Sequence, residues 1–231
     1  MIPYTYVIVP FRESKLRVLA QPVIWFAILY DGPTSEAREY AAPFRSIGPL
    51  MTQEGEATIQ ELAKLTFMDE DSPSCSKDFT SLRYPIGLKS YNTEAVRKVY
   101  NEIDETIQRV PELSGSVFLL EGYSTQAVQA VDERTTAFPH REDNILVTSY
   151  VQYKPDPALY SAAEELGKKM RAYLQEGSDD PTHLRAYVNY AHGDESLEEV
   201  YGWDEWRLKK LRELKALWDP ENRMRFYVPI V

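Results

Sequence analysis

The chain has 231 residues, 43% of them hydrophobic, and sets 36 acidic side chains against 26 basic ones for a net charge of −10. That is enough apolar material for a sizeable core, at the upper end of what a single domain holds. The acidic balance argues against a phosphate-tracking surface, so nucleic acid is not an expected partner, and an anionic membrane surface is disfavoured too. Cys75 is the only cysteine, which excludes an intrachain disulfide and a cysteine-built metal site and leaves Cys75 a structural residue. Met1–Pro10 is apolar but has no preceding positive charge and is broken by Pro3 and Pro10, so it does not read as a signal peptide. No window approaches the roughly 18 consecutive apolar residues of a membrane span.

Val7–Val9 and Val23–Tyr30 read as strands, the second closed by Asp31-Gly32-Pro33. Ser35 is placed to cap a helix from about Glu36 to Phe44, and a short helical run follows from Ile59 to Leu65. Met68–Lys77 is polar and acidic and reads as a surface loop, and Phe79–Ser90 as extended chain. Asn92 or Thr93 then opens a helix whose Val96, Tyr100, Ile103, Ile107 and Val110 fall on one face, with Pro111 as its stop. Ser116–Glu121 and Asn144–Gln152 are strands. Pro157 precedes a helix with Leu159, Ala163, Leu166, Met170 and Tyr173 on one stripe, ending near Gly177. A short strand is expected at Leu184–Tyr190, then a polar loop, then a last helix from Asp204 to Leu217 ended by Asp219-Pro220. Strands and one-sided helices without strict alternation predict an α+β fold, an antiparallel β-sheet backed by helices with a C-terminal helical segment. The division expected is a substrate-binding unit over 1–183 and an appended segment over 184–231.

The glycines are scattered, no two within six positions of each other, so the chain carries no G-x-G-x-x-G, no Walker loop and no nucleophile elbow. Its histidines, His140, His183 and His192, have no second histidine or cysteine at ligand spacing, and His192-Gly193-Asp194-Glu195 reads as a solvated loop, not a metal site. Two clusters remain. Thr135–Arg141 is either a strand-entry loop with Arg141 paired to Glu142 or Asp143, or a place where His140 stands at a pocket rim and exchanges a proton. In Tyr187-Val188-Asn189-Tyr190, an extended chain would put Tyr187 and Asn189 on one face, with Asn189 able to bind a heterocycle edge. The alternative is a strand that packs aromatics on a core. A tyrosine acts as general base only when its phenol pKa is pulled down.

Thr136–Arg141, Ala186–Tyr190, Tyr201-Gly202, Arg207-Leu208, Lys215 and Asp219-Pro220-Glu221-Asn222 occur in that order. This pattern resembles the fungal form of the berberine-bridge-like FAD-linked oxidoreductases of the vanillyl-alcohol-oxidase superfamily. Tyr30–Pro33 and Ala42-Pro43-Phe44 are similar to the substrate domain of its fungal members, so the resemblance covers essentially the whole chain. It implies the substrate domain of the FAD-linked oxidase fold plus the C-terminal berberine-like segment, without the N-terminal flavin domain. It further implies Tyr190 as the active-site tyrosine that takes a proton as hydride passes to FAD, Tyr187 and Asn189 as residues lining the flavin, and His140 as a substrate-pocket residue. A small organic substrate, oxygen as electron acceptor, and a flavin-binding domain in cis or in trans are the implied partners. Met224 and Tyr123 depart from the family's usual phenylalanine and glycine, at positions expected to lie away from the chemistry.

Three readings follow from that resemblance: the C-terminal part of an FAD-dependent oxidoreductase, a flavin-free small-molecule binding or isomerase/cyclase protein, and a non-functional truncation. The third carries an expectation, a contiguous exposed apolar patch that includes aromatics near Tyr187 and Tyr190, whereas burial of those residues in a complete core would favour the stand-alone reading.

Overall fold

The computed structural model describes residues 4–10, 22–49, 52, 54–66, 69–72 and 75–231. Among them a five-stranded antiparallel sheet runs in the order β2-β1-β4-β5-β3, built from β1 (Tyr4–Pro10), β2 (Pro22–Ile28), β3 (Thr80–Leu88), β4 (Val117–Gly122) and β5 (Ile145–Tyr153). The register puts Arg83 opposite Tyr150 and Glu121 opposite Leu146. Successive strand residues point to opposite faces. One face therefore gives Ile86, Leu88, Phe118, Leu120, Ile145, Val147 and Val151 to the main core. The other carries Ser81, Arg83, Glu121, Thr148, Tyr150 and Gln152, and this polar face holds the candidate site.

Two helices cover the apolar face, α3 (Thr93–Arg109) and α5 (Tyr160–Glu176). The Asn92 side chain caps α3 as expected, accepting from Glu94 N at 3.0 Å and Ala95 N at 3.1 Å. The buried stripe of α3 is Ala95, Val99, Glu102, Ile103, Thr106 and Ile107, with the expected Val96, Tyr100 and Val110 on its flank. The rotation has a cause: the Ala95–Val99–Glu102–Thr106 row faces α5, where Glu102 accepts from Lys169 Nζ at 3.1 Å and Tyr173 OH at 3.2 Å. In α5 the buried residues are Ala163, Leu166, Gly167, Met170 and Leu174. Gly167 is required there, because a Cβ would lie 2.1 Å from ring carbons of the buried Tyr84.

The remaining helices are α1 (Thr34–Ser46), α2 (Ile59–Leu65), α4 (Gln126–Gln129), α6 (Leu197–Tyr201) and α7 (Glu205–Trp218). Pro33 rather than Ser35 occupies the cap position of α1. A proline fits there, since the first turn of a helix has no internal use for N–H groups. The expected loop at Met68–Lys77 lies partly outside the described residues (Met68, Pro73 and Ser74). No helix among the described residues is long and apolar enough to cross a membrane.

The strand expected at Leu184–Tyr190 does not form. Leu184 packs into the main core, and Gly87 N donates to Arg185 O at 2.7 Å along the free edge of β3. Ala186 N then turns away to Glu199 O at 2.9 Å, and Val188–Tyr190 closes into a 3-10 turn. One bond is not a ladder, and the next residues pack on α6 instead: Ala186, Ala191 and Val200 form a second small core. Helix α6 occupies what reads in sequence as a polar loop. Its start carries a capping box, with Glu199 N donating to Ser196 Oγ at 3.2 Å and Ser196 N donating to Glu199 Oε2 at 2.7 Å.

Candidate active site

The 3-10 turn changes which side chains meet. Residues three apart come together on such a turn, so the Tyr187 and Tyr190 rings contact edge to face at 5.5 Å. Asn189 stays exposed and donates its amide to Tyr187 OH at 2.8 Å. Tyr190 reaches across to β4, where its phenol donates to Glu121 Oε2 at 3.1 Å. Glu121 is 4% exposed and also accepts from Tyr123 OH, at 2.7 Å on Oε1. Burial pushes the Glu121 carboxyl above its ordinary range, although both phenols and the Arg83 charge act the other way. The Arg83 guanidinium lies 5.6 Å from the Tyr190 ring centre and 5.2 Å from that of Tyr150.

Tyr190 is not a ready-made base. Burial, and then the Glu121 charge, push its phenol up to about 12, outweighing the cation over its ring. At neutral pH it is a hydrogen-bond donor to Glu121. Glu121 is the residue of this cluster that the sequence does not single out. Its signal is one carboxylate in the strand Val117-Phe-Leu-Leu-Glu-Gly122, on the face opposite Phe118 and Leu120. Tyr123, expected to lie away from the chemistry, touches it directly. Beside this group is an open cleft of about 300 Å³ lined by Ser81, Arg83, Asn189, Tyr190, Ala191, His192 and Tyr227.

His140 does not stand at a pocket rim. It is 8% exposed, and its Nε2 lies 3.1 Å from both Glu199 O and Val200 O, closing the last turn of α6. Two carbonyl partners require the proton on Nε2. Burial, aided by the Arg185 charge, lowers its pKa to about 4. Phe138 links it edge-on to the site, its ring meeting His140 at 6.0 Å and Tyr187 at 6.1 Å. Because the folded state binds the proton more weakly than the unfolded chain, this stability is present above the ordinary histidine pKa of about 6.5 and is lost as pH falls toward 4. Between pH 7 and pH 5 the histidine contributes a loss of about 2 kcal/mol. Urea unfolding at the two pH values, repeated with His140→Asn, should show that component vanish in the variant.

Arg141 pairs with neither Glu142 nor Asp143. It donates to Val128 O at 2.8 Å and to Thr136 Oγ1, while Lys89 takes Glu142 and Arg185 takes Asp143 at 2.7 Å. The His192–Glu195 loop is tied down rather than free: Arg171 binds Asp194 at 2.6 Å and Glu195 at 2.9 Å, and His192 stacks on Tyr84 at 4.2 Å. No group of metal-ligating side chains occurs among the described residues. Other shared motifs are structural. Gly202 has φ +90 and leaves room for the buried Arg207, whose Nη1 a Cβ would meet at 2.6 Å. Asp219 ends α7 by accepting from Arg223 N at 2.7 Å, Met224 N at 2.9 Å and Lys215 Nζ.

The fit to a flavin is partial. Asn189 and the Tyr187–Tyr190 pair offer an exposed polar and aromatic edge of the kind a heterocyclic ring needs. A pyrophosphate needs convergent backbone N–H groups. The positive-φ glycines here have theirs committed elsewhere, Gly48 to Arg45 O, Gly193 to Glu195 Oε2 and Gly202 to Glu198 O. These residues could line the ring of a flavin and do not cradle its phosphates.

Residues 186–230 match the family model described as "Berberine and berberine like". The chain is 37% identical over 212 residues to FAD-linked oxidoreductase anuG of Penicillium roqueforti, covering 91% of this chain and 41% of that protein. It is also 37% identical over 211 residues to FAD-linked oxidoreductase chyH of Penicillium rubens, covering 90% and 42%. It thus spans about two fifths of the length of the curated relatives it matches. Among solved structures it superposes on BBE-like #28 from Arabidopsis thaliana with TM-score 0.73 at 12% identity, over 100% of this chain and 50% of that one. A chitooligosaccharide oxidase gives TM-score 0.68 at 16% identity, over 99% and 48%. By sequence and by fold, the chain is similar to the berberine-bridge-like FAD-linked oxidoreductases, and what it shares with them is the substrate-domain fold and the berberine-like C-terminal segment.

Proposed function

We propose that this chain supplies the substrate-binding and proton-accepting part of an FAD-dependent oxidoreductase acting on a small organic molecule. Residues 1–183 form the substrate-binding domain, and 184–231 the segment that meets the flavin. The observation that carries this reading is the Tyr190–Glu121 hydrogen bond at the wall of an open cleft, with exposed Asn189 beside it. When bound, the flavin supplies the hydride acceptor, with oxygen as the final electron acceptor. The chain's own part is proton handling. A substrate hydroxyl donates to the Tyr190 oxygen while Tyr190 passes its proton to Glu121, so a phenol of high pKa serves without ever standing as a free phenolate. Tyr123 holds the second Glu121 oxygen, and His140 acts as a positioning residue through α6 and Phe138.

A flavin-binding domain, in cis or in trans, is the proposed partner. The C-terminal segment supports it: Phe226 is 87% exposed and Trp218 79%, and Leu217, Met224 and Val231 are also open. Tyr187 and Tyr190 are only half-buried, which favours a surface that meets a partner over a stand-alone ligand-binding protein. Co-production of the chain with a flavin domain should yield a yellow complex whose colour bleaches anaerobically with an oxidisable substrate. A yellow complex that no hydroxylated small molecule bleaches would overturn the oxidoreductase reading.

A further inference from the structure

We propose that Arg83 is a specificity residue that holds the carboxylate of an aromatic acid in the cleft beside Tyr190, which names the substrate class of the oxidoreductase reading and rests on it. Arg83 sits on the edge strand β3, one residue pair away from the core-facing row, so its side chain lies on the polar face with Ser81. Its guanidinium lies over the rings of Tyr150 and Tyr190, 5.2 and 5.6 Å from their centres, yet no described residue hydrogen-bonds it or forms an ion pair with it. The other interior or half-buried arginines are held: Arg171 by Asp194 and Glu195, Arg185 by Asp143 and Asp179, Arg207 by Asp204, and Arg141 by Val128 O and Thr136 Oγ1. Guanidinium donors lie in a planar fork that matches a carboxylate, and at Arg83 that fork is left for a ligand.

The surroundings select the ligand. Tyr190 and Tyr227 supply aromatic walls, and a cleft of about 300 Å³ suits a single small ring with its substituents. Tyr227 is fixed there, donating to Val188 O at 2.7 Å and Ala191 O at 3.0 Å. A dianionic phosphate fits poorly, because Arg83 is the one cation lining the cleft among the described residues and the buried Glu121 carboxyl is close enough to feel its charge. A carboxylate at Arg83 leaves the far end of such a ring to carry a carbinol group, whose O–H gives its proton to the Tyr190 relay and whose C–H bond supplies the hydride; the phenolic probes used below test binding only.

The test uses the full 231-residue chain, without flavin, and titrates 4-hydroxybenzoate against the neutral isostere 4-hydroxybenzamide, followed by intrinsic fluorescence and by NMR line shape. The carboxylate should bind at least about tenfold more tightly than the amide, the margin of a charge-assisted pair. Arg83→Gln should abolish that preference and Arg83→Lys should keep part of it, with circular dichroism establishing that both variants fold. Equal binding of the two probes, a preference that survives Arg83→Gln, or no saturable binding of either would overturn the proposal. Displacement of 4-hydroxybenzoate by inorganic phosphate at equal concentration would overturn the carboxylate assignment. Since no flavin is present, a carboxylate preference that holds while the co-produced complex fails to bleach would sink the oxidoreductase reading alone.

Discussion

In the flavin-loaded complex, Tyr190→Phe and Glu121→Gln should each slow substrate oxidation by about 10²–10⁴-fold, the usual contribution of a positioned proton acceptor. Anaerobic stopped-flow bleaching of the flavin reads this step directly. The two losses should not add, because the residues form one relay: removing the phenol oxygen strands Glu121, and removing the carboxylate leaves Tyr190 with nowhere to send its proton. The pH profile separates the relay from a simple tyrosine base. Burial holds the Glu121 carboxyl above the ordinary range, and it must be ionised to accept a proton. The rate therefore rises with pH through the Glu121 pKa and is flat above it, and Glu121→Gln removes that acid limb. If the rate instead climbs steadily toward pH 12, the value to which Tyr190 is pushed, Tyr190 ionises on its own and the relay is wrong.

Phe226→Asp should weaken association with a flavin domain by roughly a hundredfold, and Trp218→Asp by a similar factor, as expected when a charge replaces an aromatic anchor at an interface. Both side chains are among the most exposed in the chain, so the substitutions should leave its folding intact, with an unchanged thermal midpoint. In the isolated chain the same changes should reduce binding of an apolar dye and lower self-association, measured by light scattering. Unaltered assembly in both variants would place the partner surface elsewhere. Tyr227 offers an internal comparison, because its phenol already ties the C-terminal segment to the Val188–Ala191 turn.

The ordered motifs from Thr136 to Asn222 carried family and fold class, and hydrophobic periodicity placed α3, α5 and most strands within a few residues. These features are local: a stripe of Ile103 and Ile107, or of Leu166 and Met170, needs only a surface to bury against. What failed was local pattern overruled by packing. Leu184–Tyr190 has strand-like composition, but its neighbours are the edge of β3 for one bond and α6 thereafter. Helix α6 was legible in principle, since Ser196 and Glu199 stand at capping-box spacing.

The ordered motifs around Ala186–Tyr190 determined by themselves which family the chain resembles. Only the tertiary structure decided what those residues can do. The Tyr190–Glu121 bond joins positions 69 apart, and no spacing rule reaches that far. Separations of 59 and 60 positions likewise lie between His140 and the α6 carbonyls that turn an expected pocket histidine into a buried strut. Proton chemistry depends on burial and on the nearest charge, and both are set by how the sheet's polar face meets the C-terminal turn.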